Sequence, residues 1–521
     1  MKVIGFAALV AALGLAAPTL AQSADGAAAK CAALAATDFG GIQDAPTQIT
    51  SAKYAPATAD LPAHCDIQGY TQTHIGIQIR LPDAWNGKSF VHGCGGYCGS
   101  LNVSPCDTPV RKGYACLVSD MGHRSTARDA KWAYNNLQAE FDFGLRSTHV
   151  NAVAGKAIAE HYYGKAPARS MYMGCSTGGR QGMVSAQRFP YDFDAIIAGA
   201  PVIDETGDGM ALLWSVVATM GKDGKSILTA DDLRLVNKTA IAMCDADDGL
   251  KDGIIGDPRT CAFQPKDLLC KGAKTKDCLT ADQAEAVRKI YQGPVNSKGM
   301  ALYTGGALPG SELNWIGNYI AEDGGPSSYN SYMSEMFRYM GFVPDPGAAW
   351  SAKDFDWDKD YKRIGMMEAL YSGSNPDLRK FKANGGKLLS YQGYDDQSVV
   401  PLNVIDYYDT AVKTMGGRAA TEEFFRLFMV PGMNHCTGGI GAYAIDYLDA
   451  MERWVEKGEA PDKLLSVHPK TAPPFPTKFP IDPANVQFSR PVFPYPVAAR
   501  YSGQGDANDA ANFRPVDPSA R

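Results

Sequence analysis

Residues 171–182 read Met-Tyr-Met-Gly-Cys-Ser-Thr-Gly-Gly-Arg-Gln-Gly. Gly174 to Gly178 fit the pattern G-x-S-x-G, with an apolar run before them and a helix-like run from Gln181 to Phe189 after them. A strand, a sharp turn and a helix in this order present the oxygen of Ser176 above a sheet, and the amino end of the helix faces developing negative charge. The pattern therefore predicts that Ser176 is a nucleophile, although so short a motif also occurs by chance.

The chain on both sides of this motif alternates short apolar strands with helical stretches. This alternation is typical of a parallel α/β sheet, and together with the G-x-S-x-G turn it predicts the α/β-hydrolase fold. The predicted strands are Ile75 to Leu81, Ser89 to His92, Ala115 to Ser119, Ser170 to Met173, Lys387 to Tyr391 and Phe424 to Val430, and the predicted helices are Thr148 to Tyr163 and Ala444 to Glu456.

Residues 203–373 have a different texture, because they are rich in Gly, Asp, Tyr and Trp and show few strand patterns. A stretch of this length with its own aromatic residues and cysteines is more typical of a compact subdomain than of several long surface loops. We therefore predict an inserted lid domain over 203–373 and a catalytic domain over 22–202 and 374–521. The Pro-rich tail from His468 to Pro496 predicts an extended segment on the surface.

The amino terminus combines Lys2, an apolar run from Val3 to Ala17 and small residues up to Ala21. This pattern predicts a signal peptide over residues 1–21 and a periplasmic or secreted protein. The alternative is a transmembrane anchor, but a spanning helix needs about 20 apolar residues, so we expect no stable membrane insertion. The formal charge of −6 leaves no basic face for a phosphate backbone, which argues against nucleic acid as a partner. Nothing in the sequence indicates the oligomeric state.

Partners for Ser176 follow it in the order Ser, Asp, His that this fold requires. Asp395 and Asp396 leave the end of one apolar strand, and His435 leaves another within Pro-Gly-Met-Asn-His-Cys. Of the eight histidines, His435 is the one that combines a loop after a late strand with a neighbouring cysteine. We therefore predict that His435 is the general base and that one of the two aspartates orients it.

Twelve cysteines follow the predicted export signal, so disulfides are expected. Cys175 precedes the proposed nucleophile and Cys436 follows the proposed base, so a bond between them would bring Ser176 and His435 together. We also expect Cys31 and Cys65 to form disulfides. Two short-range bonds are expected as well, one between Cys244 and Cys261 and one between Cys270 and Cys278. The spacing leaves the pairing of four others open: Cys94, Cys98, Cys106 and Cys116.

The nonapeptide at 174–182 and the His-Cys pair at 435–436 resemble the tannase and feruloyl esterase family, which also includes mono(2-hydroxyethyl) terephthalate hydrolase. The likeness extends to the residues Leu81 to Gly87, Asp120 to His123, Phe189 to Asp194, Pro309 to Glu312 and Phe337 to Met340. It implies the disulfide between Cys175 and Cys436, and it assigns the acid to Asp396. Asp395 would then turn outward or cap the loop.

Two backbone amides must stabilise the oxyanion of the reaction. One is expected at Thr177, and the other in Gly93 to Gly96 after an early strand. The family tends to have a run of glycines in this loop, from which Cys94 departs. The second donor is therefore Gly95 or Gly96.

The segment Asp245 to Ile254 offers carboxylates and backbone carbonyls to a hard cation such as Ca²⁺. It is not an ordinary EF-hand, because Gly256 stands where that loop has a glutamate. The segment resembles the calcium loop in the lid of this family, which implies a structural Ca²⁺ with the ligands Asp245, Asp248, Leu250, Asp252 and Ile254.

The lid is unusually aromatic, and we expect some of its rings to form its core and a few to contact substrate. The predicted substrate contacts are Trp315, Phe337 and Arg338. The resemblance implies a secreted serine esterase that cleaves hydroxycinnamate or gallate esters through an acyl-enzyme. Two alternatives stay open: a hydrolase of terephthalate monoesters or other small aromatic esters, and a calcium-dependent protein that binds aromatic ligands without turnover.

Overall fold

A computed structural model describes residues 24–322, 326–473 and 477–517. The predicted signal peptide, residues 1–21, lies outside the described residues. No helix in the described part of the chain is long and apolar enough to span a bilayer.

A nine-stranded sheet with the order β1-β2-β3-β5-β4-β6-β7-β8-β9 forms the centre of the molecule. The strands β4 to β9 run parallel, and β1, β2 and β3 add an antiparallel edge that pairs with β5. Their bounds are β1 Thr47–Ala55, β2 His64–Thr71, β3 Ile75–Pro82, β4 Lys88–His92, β5 Ala115–Ser119, β6 Arg169–Cys175, β7 Ala195–Gly199, β8 Lys387–Gly393 and β9 Phe425–Val430.

All six strands predicted from the sequence are present in this sheet, within about two residues of their expected ends. The prediction of a parallel sheet holds for β4 to β9 but not for the first three strands, which form an antiparallel meander. It also lacked β1, β2 and β7. The strand β7 is a five-residue, fully buried run, like β5.

Helices cover both faces of the sheet. The apolar sides of α4, α5 and α13 pack on one face, and α15 packs on the other. The helices are α1 Ala24–Ala33, α2 Asp107–Arg111, α3 Leu137–Phe141, α4 Ser147–Tyr163, α5 Thr177–Arg188, α6 Glu205–Thr219, α7 Ala230–Cys244, α8 Ala281–Gln292, α9 Ser328–Tyr339, α10 Asp360–Arg363, α11 Gly365–Tyr371, α12 Arg379–Ala383, α13 Pro401–Thr414, α14 Arg418–Glu422 and α15 Tyr447–Lys457.

The chain between β7 and β8 contains α6 to α12, and most of it forms the lid. Side-chain caps stabilise its helices: Thr229 and Thr280 each form a capping box at the start of α7 and α8. The lid core is continuous with Tyr97, Met121 and Phe143 of the catalytic domain. The lid therefore packs on the loops after β4 and β5 and is not an isolated unit.

Six disulfides are present, and every cysteine is bonded. They include the four expected bonds, and they also settle the pairing that the spacing left open, as Cys94–Cys98 and Cys106–Cys116. The tail after α15 is more ordered than a purely extended segment, because it forms two antiparallel hairpins. Their strands are β10 Leu464–Pro469 with β11 Val486–Val492 and β12 Ala498–Tyr501 with β13 Phe513–Val516.

Candidate active site

Ser176 lies at the sharp turn between β6 and α5, with φ 64° and ψ −126°. This strained conformation is the one that the G-x-S-x-G motif requires. Glycine is needed at Gly174, because a Cβ atom there would lie 2.7 Å from the backbone of Gly178. The amide of Ser176 donates to Gly199 O at 2.9 Å, which anchors the turn to the end of β7.

Asp396 and His435 form a hydrogen-bonded pair on the loops after β8 and β9. The imidazole Nδ1 lies 2.9 Å from Asp396 Oδ2, and an Nδ1–H donor leaves Nε2 free to act as a base. The carboxylate of Asp396 is fully buried and accepts hydrogen bonds from the amides of Ser398 and Val399 and from the side chain of Gln392. These donors stabilise the charged carboxylate and fix its orientation.

The disulfide between Cys175 and Cys436 joins the nucleophile turn to the base loop across 261 residues of sequence. Its Cα atoms are 5.9 Å apart, and Cys436 has a positive φ of 66°. In this conformation no hydrogen bond within the described protein joins the Ser176 hydroxyl to His435, and such bonds often form only when substrate binds. The disulfide keeps the two groups in adjacent positions.

Ser176 and His435 lie between two cavities and line both of them. The cavity on the lid side has a volume of about 220 Å³, and its walls include Leu212, Tyr332 and Met336. The cavity on the other side is larger, at about 590 Å³, and it extends over the sheet towards α15 and the loop around Tyr443. A bound ester can therefore extend in two directions from the nucleophile.

The amide of Thr177 is the first of α5, so it has no acceptor within the helix. The amides of Gly95 and Gly96 donate no hydrogen bond to any described residue. Gly96 lines both cavities together with Ser176, whereas Gly95 lines only the larger one. Three amides near the nucleophile thus have no acceptor within the described residues, and an oxyanion hole requires free donors of this kind.

A family profile described as "Tannase and feruloyl esterase" matches residues 60–516. The chain belongs to the tannase and feruloyl esterase family. It is 33% identical to the mono(2-hydroxyethyl) terephthalate hydrolase of Piscinibacter sakaiensis over 89% of this chain and 87% of that protein. It is also 33% identical to a probable feruloyl esterase of Arthroderma benhamiae over 84% of this chain and 82% of that protein.

The crystal structure of feruloyl esterase B from Aspergillus oryzae superimposes with a TM-score of 0.81 at 27% identity, over 94% of this chain and all of that chain. This likeness confirms the α/β-hydrolase fold with a lid of this family. The protein is therefore a carboxylic ester hydrolase, and the prediction of a protein without turnover is not favoured.

From the sequence we expected Asp395 to turn outward or to cap the loop, and the first of these alternatives is wrong. It is buried, and burial together with the negative charge of Glu312 raises its pKa to about 8. Its amide donates to Met433 O at 3.1 Å. The side chain of Asp395 therefore points from the loop after β8 towards the lid, where the turn at Gly310 covers it.

The lid contacts the loop that carries Asp396 and the loop that carries His435 through residues that the sequence did not reveal. Asn314 Nδ2 lies 2.9 Å from Asp395 O and 2.8 Å from Asn434 Oδ1, so it bridges the two loops. Tyr319 donates to Gln397 O at 2.8 Å, next to Asp396. The motif Pro309 to Glu312 and the predicted contact Trp315 pointed to this part of the lid, but not to these two residues. These contacts tie the lid to the catalytic pair.

The three predicted substrate contacts are absent from the lining of both cavities. Trp315 and Phe337 are fully buried in the lid core, where Trp315 donates to Ser311 Oγ at 3.1 Å. Arg338 donates to Trp350 O at 2.8 Å and faces Glu335. The two cavities therefore give no support to these three predictions, because the type of a residue and its position in the sequence do not show which side of a helix faces a cavity.

The lid side of the nucleophile instead carries two buried carboxyl groups on α6, Glu205 and Asp208. Glu205 pairs with the fully buried Arg180 at 3.0 Å, and Asp208 Oδ1 accepts from the amide of Val400 at 3.1 Å. Burial raises the pKa of Asp208 well above its ordinary value, and nearby carboxylates raise it further. A further negative charge at this wall is therefore unfavourable.

The expected calcium loop follows α7 and is arranged mainly by its own hydrogen bonds. Both oxygens of Asp245 accept from the amide of Gly253, and Asp252 Oδ2 pairs with Arg490 at 2.6 Å. The donor types suit Ca²⁺, but in the described residues no three carboxylate, His or Cys side chains converge on one point. Calcium binding stays a prediction.

Proposed function

We propose that this esterase hydrolyses esters of aromatic acids, with Ser176 as nucleophile, His435 as base and Asp396 as the group that orients the base. The observation that carries the proposal is the placement of a strained serine turn beside His435, which is paired with the buried Asp396, where two cavities meet. The names of the relatives, a feruloyl esterase and a terephthalate monoester hydrolase, support an aromatic acyl group.

In the first half of the reaction, His435 Nε2 removes the hydroxyl proton of Ser176 as Oγ attacks the ester carbonyl. The amide of Thr177 and one from Gly95 or Gly96 stabilise the oxyanion of the tetrahedral intermediate. His435 then gives its proton to the alcohol oxygen as the C–O bond breaks. In the second half, His435 removes a proton from water as the water attacks the acyl-enzyme carbonyl, and the acid is released as the proton passes to Ser176 Oγ. Asp396 stabilises the imidazolium without taking its proton.

The lid-side cavity suits the acyl group. At about 220 Å³ it is smaller than pockets that enclose drug-sized ligands, and Tyr329, Tyr332 and Met336 provide apolar walls for one aromatic ring. The larger cavity would then take the alcohol. Its wall includes Thr437, which follows the base loop, and His435 must protonate the departing alcohol on that side.

The carboxyl groups of Glu205 and Asp208 favour one of the two candidate acyl classes. Their oxygens can accept a hydrogen bond from a phenolic hydroxyl, as in a hydroxycinnamate or a gallate. A terephthalate carboxylate would lie beside these two carboxyl groups, where burial already disfavours negative charge and raises both pKa values. Arg128 also lines this cavity, but it is exposed and donates to Ser328 Oγ at 2.7 Å. We therefore favour hydroxylated aromatic acids.

The Ser176→Ala variant tests the proposal on methyl ferulate, methyl gallate and a 4-nitrophenyl ester. We expect kcat to fall by about 10⁴-fold, because both attack and acyl transfer require the hydroxyl. Circular dichroism and thermal unfolding should match the wild type. Equal rates for the two proteins would reject the assignment.

We also propose that a structural Ca²⁺ binds Asp245, Asp248 and Asp252 with the carbonyls of Leu250 and Ile254, away from the reacting groups. The all-oxygen donor set supports this, and binding would require Asp252 to leave Arg490. Addition of Ca²⁺ to EDTA-treated protein should raise Tm in the wild type and not in Asp245→Asn. An identical Tm in EDTA and in Ca²⁺ would reject the site.

We propose export for the complete chain, which the six disulfides support because such bonds persist in oxidising compartments. Mass spectrometry of the protein from its native host should give a mature chain beginning at Gln22. A cytosolic protein that retains residues 1–21 would contradict this.

A further inference from the structure

The loop after β4 closes on itself through a disulfide. Cys94 and Cys98 are bonded, with their Cα atoms 5.5 Å apart, and they enclose Gly95, Gly96 and Tyr97 in one small covalent ring. We call residues 94–98 the oxyanion ring. Because only three residues separate the two cysteines, the bond restricts the backbone of those three residues directly.

Hydrogen bonds inside and around the oxyanion ring use other amides and leave those of the glycines free. Cys98 N donates to Gly95 O at 3.1 Å, and Tyr97 N donates to Ala127 O at 2.9 Å. Gly96 has a φ of +58°, and a Cβ atom there would lie 2.3 Å from Ala127 O, so only glycine fits. The ring therefore holds two unpaired N–H groups in an unusual backbone conformation beside Ser176.

The disulfide also contacts the helix that follows the nucleophile. The buried side chain of Gln181, on α5, places Nε2 at 3.3 Å from Cys94 Sγ and 3.6 Å from Cys98 Sγ. Its Oε1 accepts from the hydroxyl of Tyr172 at 2.9 Å. The carbonyl oxygen of Cys94 would lie 3.1 Å from a Cβ atom at Gly178, so the ring rests directly on the first turn of α5.

We infer that the Cys94–Cys98 disulfide is a positioning element for catalysis, which fixes the amides of the oxyanion ring relative to Ser176 through Gln181. This inference rests on the proposed function, because it assigns a task within the acyl transfer. Donors in an oxyanion hole act only if they are already in place when charge develops on the carbonyl oxygen. A displacement of about 1 Å can lower the rate about 100-fold. A covalent constraint that prevents such a displacement of this loop therefore raises kcat.

The test compares Cys94→Ser/Cys98→Ser with the matched control Cys270→Ser/Cys278→Ser, which removes a local disulfide from the lid. For the first variant we expect kcat on methyl ferulate to fall by about 10- to 100-fold with KM changed by less than about threefold. The affinity for an aryl boronic acid, whose tetrahedral adduct needs the oxyanion hole, should fall in parallel with kcat. The affinity for the ferulate product should not. The control should keep wild-type values.

A second variant, Gln181→Leu, removes the contact with both sulfur atoms and leaves the disulfide intact. We expect a smaller loss of kcat, about 3- to 10-fold, with the same pattern of boronate and product affinities. It keeps the inference testable if the double serine variant does not fold. Wild-type kcat in either folded variant, or an equal loss in the lid control, would overturn the inference. If Ser176→Ala keeps full activity in the same assays, the proposed function fails instead.

Discussion

The catalytic loops and the lid meet at Ser176, but they are held in place by different means. The loops are constrained covalently and by backbone geometry, through Cys175–Cys436, Cys94–Cys98 and the strained turn at Ser176. The lid is held by an aromatic core and by buried polar contacts such as that of Asn314. From this difference we expect that the chemistry depends on a few fixed positions, whereas the selectivity depends on packing and on the buried carboxyl groups of the lid wall.

The largest effect is expected in an experiment that distinguishes the roles of two adjacent carboxylates on the catalytic loops. Asp396→Asn should lower kcat by about 10³- to 10⁴-fold, because the amide cannot hold the imidazole in the required tautomer or stabilise its charge. Steady-state kinetics on methyl ferulate measure it. Asp395→Asn is the matched control and should stay within about tenfold of the wild type, since Asp395 faces Glu312 and not His435. Equal losses in both would show that our choice of acid is wrong.

Removal of the covalent link between the loops should have the next largest effect. Cys175→Ser/Cys436→Ser should lose about 2–5 kcal/mol of stability, because the bond closes a very long loop, and about 100-fold in kcat/KM. Thermal unfolding and steady-state kinetics measure the two losses. A variant that unfolds like the wild type and keeps its rate would mean that packing alone holds Ser176 against His435.

A change at the lid wall should alter selectivity and leave the chemistry intact. Asp208→Asn removes a carboxyl and supplies N–H donors, so the ratio of kcat/KM for monomethyl terephthalate to that for methyl ferulate should rise about tenfold. Asp360→Asn, at a buried lid carboxyl outside both cavities, should leave the ratio unchanged. The same ratio in wild type and Asp208→Asn would show that the carboxyl group of Asp208 does not determine the selectivity.

The smallest effect is expected in the lid core. Phe337→Leu should lower the free energy of unfolding by about 1 kcal/mol and leave the ratio of activities on ferulate and gallate esters unchanged, because Phe337 is fully buried against the rings of Trp350 and Phe355. Denaturant unfolding and a two-substrate assay check this. A clear shift in that ratio would show that Phe337 contacts the substrate, as the sequence predicted.

The sequence predicted much of the sheet because each of its apolar strands is a local pattern. It did not predict β1 and β2, whose edge position gives mixed burial, or the antiparallel direction of the first strands. Within the candidate site, Ser176 and His435 could be chosen because each lies beside a cysteine after a strand. The choice of Asp396 needed the family resemblance, because Asp395 follows the same strand.

The sequence by itself thus determined the nucleophile turn, the order of Ser176, Asp396 and His435 and the family, because these are fixed by short motifs and by their order along the chain. The tertiary structure alone decided that Cys94 pairs with Cys98, that Trp315 and Phe337 are core residues and that Glu205 and Asp208 face the nucleophile. The physical reason is that burial and side-chain direction depend on contacts between distant segments. Such contacts leave no local pattern in the sequence.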